Sequence, residues 1–326
     1  MRKHQPTIGG MLPGFITYMK VERQFSPATI SKYRDNIQWF VREFGDRRAG
    51  DLALTDFISL KERLAADDGR REGRVSSIIC AVKCILAYAR DVHHARVFDL
   101  SAIRLPRKRR QPVVYLTDEE LTRFLQAIPI RNWDGQPRLS GCRVRALVEI
   151  LAASGMRISE ALSLNREDIK FEEREAVIVG KGKKQRKVYF TGRALDWLKQ
   201  YLALRTDSSP ALFATSTGVR LCIGTVDTIF RRITKWAGIE KRVTPHILRH
   251  TMATRLLSNG CPIGFIKEML GHERLETTCR FYLGVLDEGD RKKAYENFLH
   301  YNIGLEKPPF QPEGEGRSSH PYPSVP

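Results

Sequence analysis

The stretch "TPHILRHTMATRLLSNG", Thr244 to Gly260, decides what kind of fold this chain builds. Thr244 is a helix cap, and Pro245 suits the first helical position, where its missing N–H would have had no partner anyway. Leu248, Met252, Leu256 and Leu257 follow at helical spacing and supply the packing face. His246 and Arg249 fall three apart on one face of the first turns, and His250 lies on the same side. Packing does not need them. An unshielded histidine and arginine at a helix start suit an anion. A zinc pair from His246 and His250 is the alternative, but the stretch lacks the glutamate of an HExxH helix and any obvious third ligand.

The whole chain agrees with an anionic partner. Its 326 residues are too many for one ordinary core, so two domains are expected. The formal charge is +18 at pH 7 while hydrophobic content is 42%, which describes a folded protein with surplus cations. Such a surplus favours a polyanion, nucleic acid above all. An anionic membrane surface would call for a basic amphipathic helix, and none stands out. There is no run of about 18 apolar residues to span a bilayer, and the start "MRKHQPTIGG" lacks a signal-peptide centre. The six cysteines form no CxxC pair or regular framework; Cys80 and Cys84 read as buried free thiols on one helix face. A reducing cytoplasm fits.

Residues from about Ile8 to Val97 read as four amphipathic helices around a bundle core, with Ser26 capping one and Pro27 opening it. Next comes "IRLPRKRRQPVVYLT". Prolines 106 and 112 bracket Arg107, Lys108, Arg109 and Arg110, an extended basic linker suited to strapping a phosphate backbone. The second domain opens at "LTDEELTRFLQAI", where Thr117 and Glu120 make a capping box. "CRVRALVEILAAS" is a helix stopped by Gly155, "AVIVGKGKKQRKVYF" a hairpin, and four further helices follow. Past about Lys307 the proline- and glycine-rich composition suggests disorder. The expected boundaries are a helical domain over 1–97, a linker over 98–116, a second domain over 117–305 and a tail over 306–326.

Three further segments carry polar groups beyond structural need. In "ASGMRISEAL", Arg157 sits where one helix gives way to the next, a place for a phosphate clamp or for an ion pair with Glu160. The hairpin turn "GKGKKQRK" holds Lys181, Lys183, Lys184, Arg186 and Lys187 without an acid, which argues for DNA contact. In "LGHERLETTCRFYLG", Gly271 ends a helix, His272 follows in the turn, Thr277 and Thr278 can cap, and Tyr282 comes next.

Taken in order and spacing over about Leu116 to His300, "SGMRISEAL", "VGKGKKQR", "HILRH", "LGHERLETT" and a following tyrosine resemble the tyrosine recombinase (phage integrase) family. The resemblance implies a mainly α fold with a small β-sheet, in which a helical SAM-like core-binding domain precedes a tyrosine recombinase catalytic domain. It makes Arg157 and Arg249 the phosphate-clamping arginines and Lys181 the hairpin lysine. His246 and His272 are then the two histidines, and Tyr282 the nucleophile. Arg107, Lys108, Arg109, Arg110, Lys183, Lys184 and Arg186 are the expected DNA contacts. The family's tyrosine usually stands nine residues after the second histidine; here that position is Phe281, and Tyr282 is one step later, about 100° further round a helix.

The residue types suit the chemistry that the resemblance implies. A phenol with a pKa near 10 must lose its proton to attack a phosphodiester, and guanidinium groups lower that cost. Arginines and histidines can hold the transition-state charge, so neither a metal nor another cofactor is expected. Lys181 can protonate the departing 5′ oxygen, and the 3′-phosphotyrosine product conserves the bond energy for rejoining. The implied partner is double-stranded DNA, bound by a homotetramer on two sites, with room for a second recombinase and an exchanged C-terminal segment after Tyr282. Because the chain opens almost directly with the core-binding helices, a simple two-domain recombinase is expected, serving integration, excision, transposition or multimer resolution. A type IB topoisomerase shares the same nucleophile and clamp, and a catalytically silent DNA-binding homologue shares the fold.

Overall fold

The computed structural model describes residues 6–66, 72–106, 113–180, 184–272 and 278–279. The chain divides into two compact units, 1–111 and 112–326.

The first unit contains α1 (Ile8–Val21), α2 (Pro27–Phe44), α3 (Leu54–Ala66) and α4 (Glu72–His93), the four helices expected. Ser26 caps α2 by accepting the Thr29 amide, with Pro27 in the first turn. Along α4 the side chains of Ile78, Ile79, Val82, Ile85, Leu86 and Ala89 are fully buried, so this helix forms the axis of the core. Phe15 and Met19 of α1 and Ile37 and Phe40 of α2 close over it. Asp46 accepts hydrogen bonds from the Thr7 hydroxyl and the Gly9 amide, fastening the start of α1 to the loop after α2.

This unit runs further than the expected boundary at 97. Asp99 caps a short 3-10 turn over Leu100–Ala102, and Leu100 and Ile103 are buried in the first core. The expected linker is therefore shorter at both ends, because its apolar residues have cores to enter. Leu116 is buried in the second core, and its amide donates to the Thr251 hydroxyl at 2.9 Å.

In the second unit, α5 (Asp118–Gln126) opens with the full Thr117–Glu120 capping box. Helix α6 (Leu139–Ser154) is buried on nearly every side and is the central rod. Around it lie α7 (Ile158–Ser163), α8 (Gly192–Ala203), α9 (Ile223–Trp236), α10 (Pro245–Ser258) and α11 (Ile263–Leu270). Between α7 and α8 the strands β1 (Ile169–Lys170), β2 (Glu175–Val179) and β3 (Gln185–Tyr189) form an antiparallel sheet in that order. The pairs Ala176–Val188 and Ile178–Arg186 stand opposite one another, and Ala176, Ile178 and Val188 face the core. The hairpin was expected. The short edge strand β1 was not, since two residues after a 3-10 turn carry no alternation to read.

Candidate active site

Two helix ends converge on one arginine. Helix α6 stops at Gly155 (φ 59°) and α11 at Gly271 (φ 61°), both left-handed, a conformation glycine adopts without steric cost. Arg249 of α10 donates to the Gly155 carbonyl at 2.7 Å and to the Leu270 carbonyl at 2.5 Å. Arg157, two residues beyond Gly155, and His272, next after Gly271, are thereby drawn to the start of α10, which carries His246. The expectation of an unshielded Arg249 needs correction. The residue is only 3% exposed, because two helix C-termini close over it. A cation held by the negative ends of two helix dipoles is already aimed and does not have to be ordered when an anion arrives.

Arg157 stands at the N-cap of α7. Its guanidinium meets Glu160 Oε1 at 2.9 Å and its amide donates to Glu160 Oε2 at 2.7 Å, while its side chain keeps 40% exposure. Phosphate clamp and ion pair were alternatives in the sequence; the pair is present, and the exposed remainder still faces outward. Glu160 is buried. Burial by itself would raise its pKa, but hydrogen bonds from Arg186 and from the Arg157 amide hold it below the usual carboxylate range.

Arg186, one of the expected DNA contacts, is turned into the protein. It forks onto Glu160 at 2.9 and 2.8 Å and donates Nε to the Met269 carbonyl at 3.2 Å. The physical reason is strand alternation. Arg186 lies two residues from buried Val188 and opposite buried Ile178, so it shares their inward face. That signal was legible in the sequence. Lys184 is exposed as expected, and Lys187 pairs with Glu175 at 3.0 Å. Arg107, Lys108, Arg109, Arg110, Lys181, Lys183 and Tyr282 lie outside the described residues.

The histidines gather beside the two arginines. The rings of His246 and His250 meet edge to face with centroids 4.3 Å apart. His272 Nδ1 is 2.9 Å from the hydroxyl of Thr278, a fully buried residue read in the sequence only as a cap. Burial pushes the His272 pKa down to about 4, and the charges of Arg249 and Arg157 push the same way, as do His246 and Arg186. Burial first, then His246 and Arg249, holds His250 at about 4, and burial with Arg249 and Arg157 lowers His246. An entering phosphate would reverse this balance, since its negative charge favours the imidazolium.

In the first unit, α2 and α4 flank a polar crevice of about 640 Å³ whose lining includes Lys32, Asp35, Asn36, Arg42 and Arg74. Arg74 lies over the Trp39 ring, 5.5 Å from its centroid. Among the described residues no helix is long and apolar enough to cross a membrane.

A helical unit thus precedes a mostly α unit that carries the arginine–histidine cluster. Residues 114–288 match the phage integrase family. The tyrosine recombinase XerD of Mycobacterium leprae (strain TN) is 32% identical over 292 residues, covering 82% of this chain and 90% of that protein. The tyrosine recombinase XerC of Proteus mirabilis is 28% identical over 278 residues, covering 83% and 88%. Among solved structures, the Tn1549 transposon integrase in complex with transposon right end DNA superposes with a TM-score of 0.70 at 18% identity, over 89% of this chain and 99% of that one. The XerH recombinase bound to its difH substrate gives 0.62 at 23% identity, over 82% and 81%. The class is that of the tyrosine recombinases. This chain belongs to the phage integrase family. It is a site-specific recombinase that cuts and rejoins duplex DNA.

Proposed function

We propose that Tyr282 is the nucleophile, with Arg157, Arg249, His246 and His272 forming the phosphate site and Lys181 acting as the general acid. The convergence of α6 and α11 on Arg249 supports this most directly, because it gathers residues distant in the chain around one buried cation. The phenolate oxygen of Tyr282 forms a bond to phosphorus as the bond to the 5′ oxygen breaks. His246 takes the phenol proton, and Lys181 supplies the proton that leaves with the 5′ hydroxyl. Arg157 and Arg249 hold the non-bridging oxygens as their charge grows. His272 is neutral in the empty site and becomes a stronger donor once phosphate raises its pKa. Attack of a 5′ hydroxyl on the 3′-phosphotyrosine reverses the step without external energy.

The basic run Arg107–Lys108–Arg109–Arg110, with Lys183 and Lys184, supplies phosphate contacts on this reading. The crevice of Lys32, Arg42 and Arg74 is a candidate face for the first unit on DNA. The active assembly is a tetramer on two DNA sites in the cytoplasm. Relatives named XerC and XerD suggest a second recombinase sharing the synapse and a role in resolving multimers.

The decisive test uses nicked duplexes built on inverted repeats flanking the gene, which trap a covalent intermediate. Wild type forms a protein–DNA adduct on one of them, and Tyr282→Phe binds equally but forms none. An adduct from Tyr282→Phe would move the nucleophile elsewhere, with Tyr295 next to test. Binding without an adduct in the wild type would make the chain a silent DNA-binding homologue, and relaxation of any supercoiled plasmid would make it topoisomerase-like.

A further inference from the structure

Every nitrogen of the Arg186 guanidinium is occupied inside the protein. Nη1 and Nη2 lie on the two oxygens of Glu160, Nε lies on the Met269 carbonyl, and the side chain is 13% exposed. Glu160 in turn holds both the guanidinium and the amide of Arg157. Two glycines lie against the same group. A methyl group on Gly180 would stand 3.2 Å from Arg186 Nη1, and one on Gly271 would stand 2.9 Å from it. Gly180 directly precedes Lys181, and Gly271 directly precedes His272. The Gly180 amide also closes the hairpin onto the Lys184 carbonyl at 2.8 Å.

We infer that Arg186 is a positioning residue that locks three catalytic segments to one another: the Arg157 turn through Glu160, the His272 turn through Met269 and Gly271, and the Lys181 hairpin through strand β3 and Gly180. The inference rests on the roles given above to Arg157, Lys181 and His272. Only arginine can perform this task, because a planar fork must cover two carboxylate oxygens while its Nε reaches a third acceptor. A lysine keeps the charge and loses the fork. Loosening the lock by as little as about 1 Å costs on the order of 10² in rate while leaving the DNA-facing cations in place. Gly271 is required twice, by its φ of 61° and by the guanidinium above it.

The test separates positioning from DNA contact. On an arbitrary duplex, Arg186→Lys and Arg186→Gln should bind with the wild-type salt dependence; a slope reduced by about 1 in Arg186→Gln would instead identify a phosphate contact and overturn the inference. On a nicked duplex that wild type cleaves, both variants should form adduct about 10²-fold more slowly at saturating protein. Rates within about threefold of wild type would also overturn it. Amide hydrogen exchange provides a readout independent of cleavage. In Arg186→Gln the amides of Gly180, Gly271 and His272 should exchange about tenfold faster, while the β1–β2 amides keep their rates. Uniform acceleration, matched by a remote core variant such as Leu198→Ala, would reduce Arg186 to general stability. Should wild type cleave no duplex, the assigned chemistry fails, and the exchange pattern still decides whether Arg186 joins the three segments.

Discussion

Arg249 reaches the carbonyl oxygen of Gly155 at 2.7 Å, across 94 positions of the chain. The same side chain holds the Leu270 carbonyl. One residue is thus tied into the fold and, on the function proposed, into the phosphate site, so its substitutions should show both effects. Arg249→Ala removes two charge-assisted bonds and leaves two carbonyls with fewer partners, so unfolding free energy should fall by about 2–4 kcal/mol. Adduct formation should also be lost. Chemical denaturation and the nicked-duplex assay check the two halves.

Arg157 should behave differently. Its side chain is half-exposed, and Glu160 remains bound by Arg186 when it is removed. Arg157→Ala should therefore keep the fold and DNA binding but slow cleavage by about 10²-fold or more. A variant that cleaves normally would reduce Arg157 to a helix-cap ion pair.

A side chain at Gly155 would meet a left-handed backbone and the end of Met252. The φ of Gly155 is 59°, and a methyl group would stand 2.0 Å from Met252 Cε. Gly155→Ala should cost about 1–2 kcal/mol from the left-handed backbone alone, with a further loss as Met252 is displaced. A midpoint of thermal unfolding equal to wild type would show that α6 can end another way.

Acid should weaken the free protein. His272 and His250 have folded pKa values of about 4, below the ordinary 6.5. The unfolded chain then binds more protons than the folded one between those values, so stability falls as pH drops from about 6.5 to about 4. Burial is the main cause for both; the charges of Arg249 and His246 on α10 push both the same way, joined for His272 by Arg157 before α7 and Arg186 on β3. Bound DNA should oppose the effect, since phosphate raises the histidine pKa values. Unfolding scans at pH 7 and pH 5, with and without duplex, measure both.

Salt should control affinity. With a charge of +18 and six or more phosphates neutralised, binding should weaken by about 10³-fold or more between 50 and 200 mM salt. Replacing Arg107 through Arg110 with alanine should lower affinity on every sequence; a loss confined to one site would mean base reading. Fluorescence anisotropy titrations on two unrelated duplexes decide.

Position 282 can be tested apart from the presence of a phenol. Phe281→Tyr with Tyr282→Phe moves the hydroxyl to the usual family spacing and should abolish the adduct if the chain is built around residue 282. A bridging 5′ thiolate should rescue Lys181→Ala, because a good leaving group needs no acid.

Local chemistry writes helix boundaries into short stretches of sequence. Thr117 with Glu120, Ser26 with Pro27 and Thr244 with Pro245 each open a helix through hydrogen bonds made within four residues, so the starts of α5, α2 and α10 were legible. Gly155 and Gly271 closed helices for the same local reason. The order of the arginine, histidine and tyrosine motifs was legible too, and it placed the chain in its family. Tertiary structure decided which cations face outward. Arg249 and Arg186 look like surface charges in a basic chain, yet the first is buried and the second largely so, because the acceptors that stabilise them come from segments far away: Gly155 and Leu270 for one, Glu160 and Met269 for the other. Burying a guanidinium is favourable only where such partners converge, and convergence across the chain is a property of packing that residue spacing does not carry.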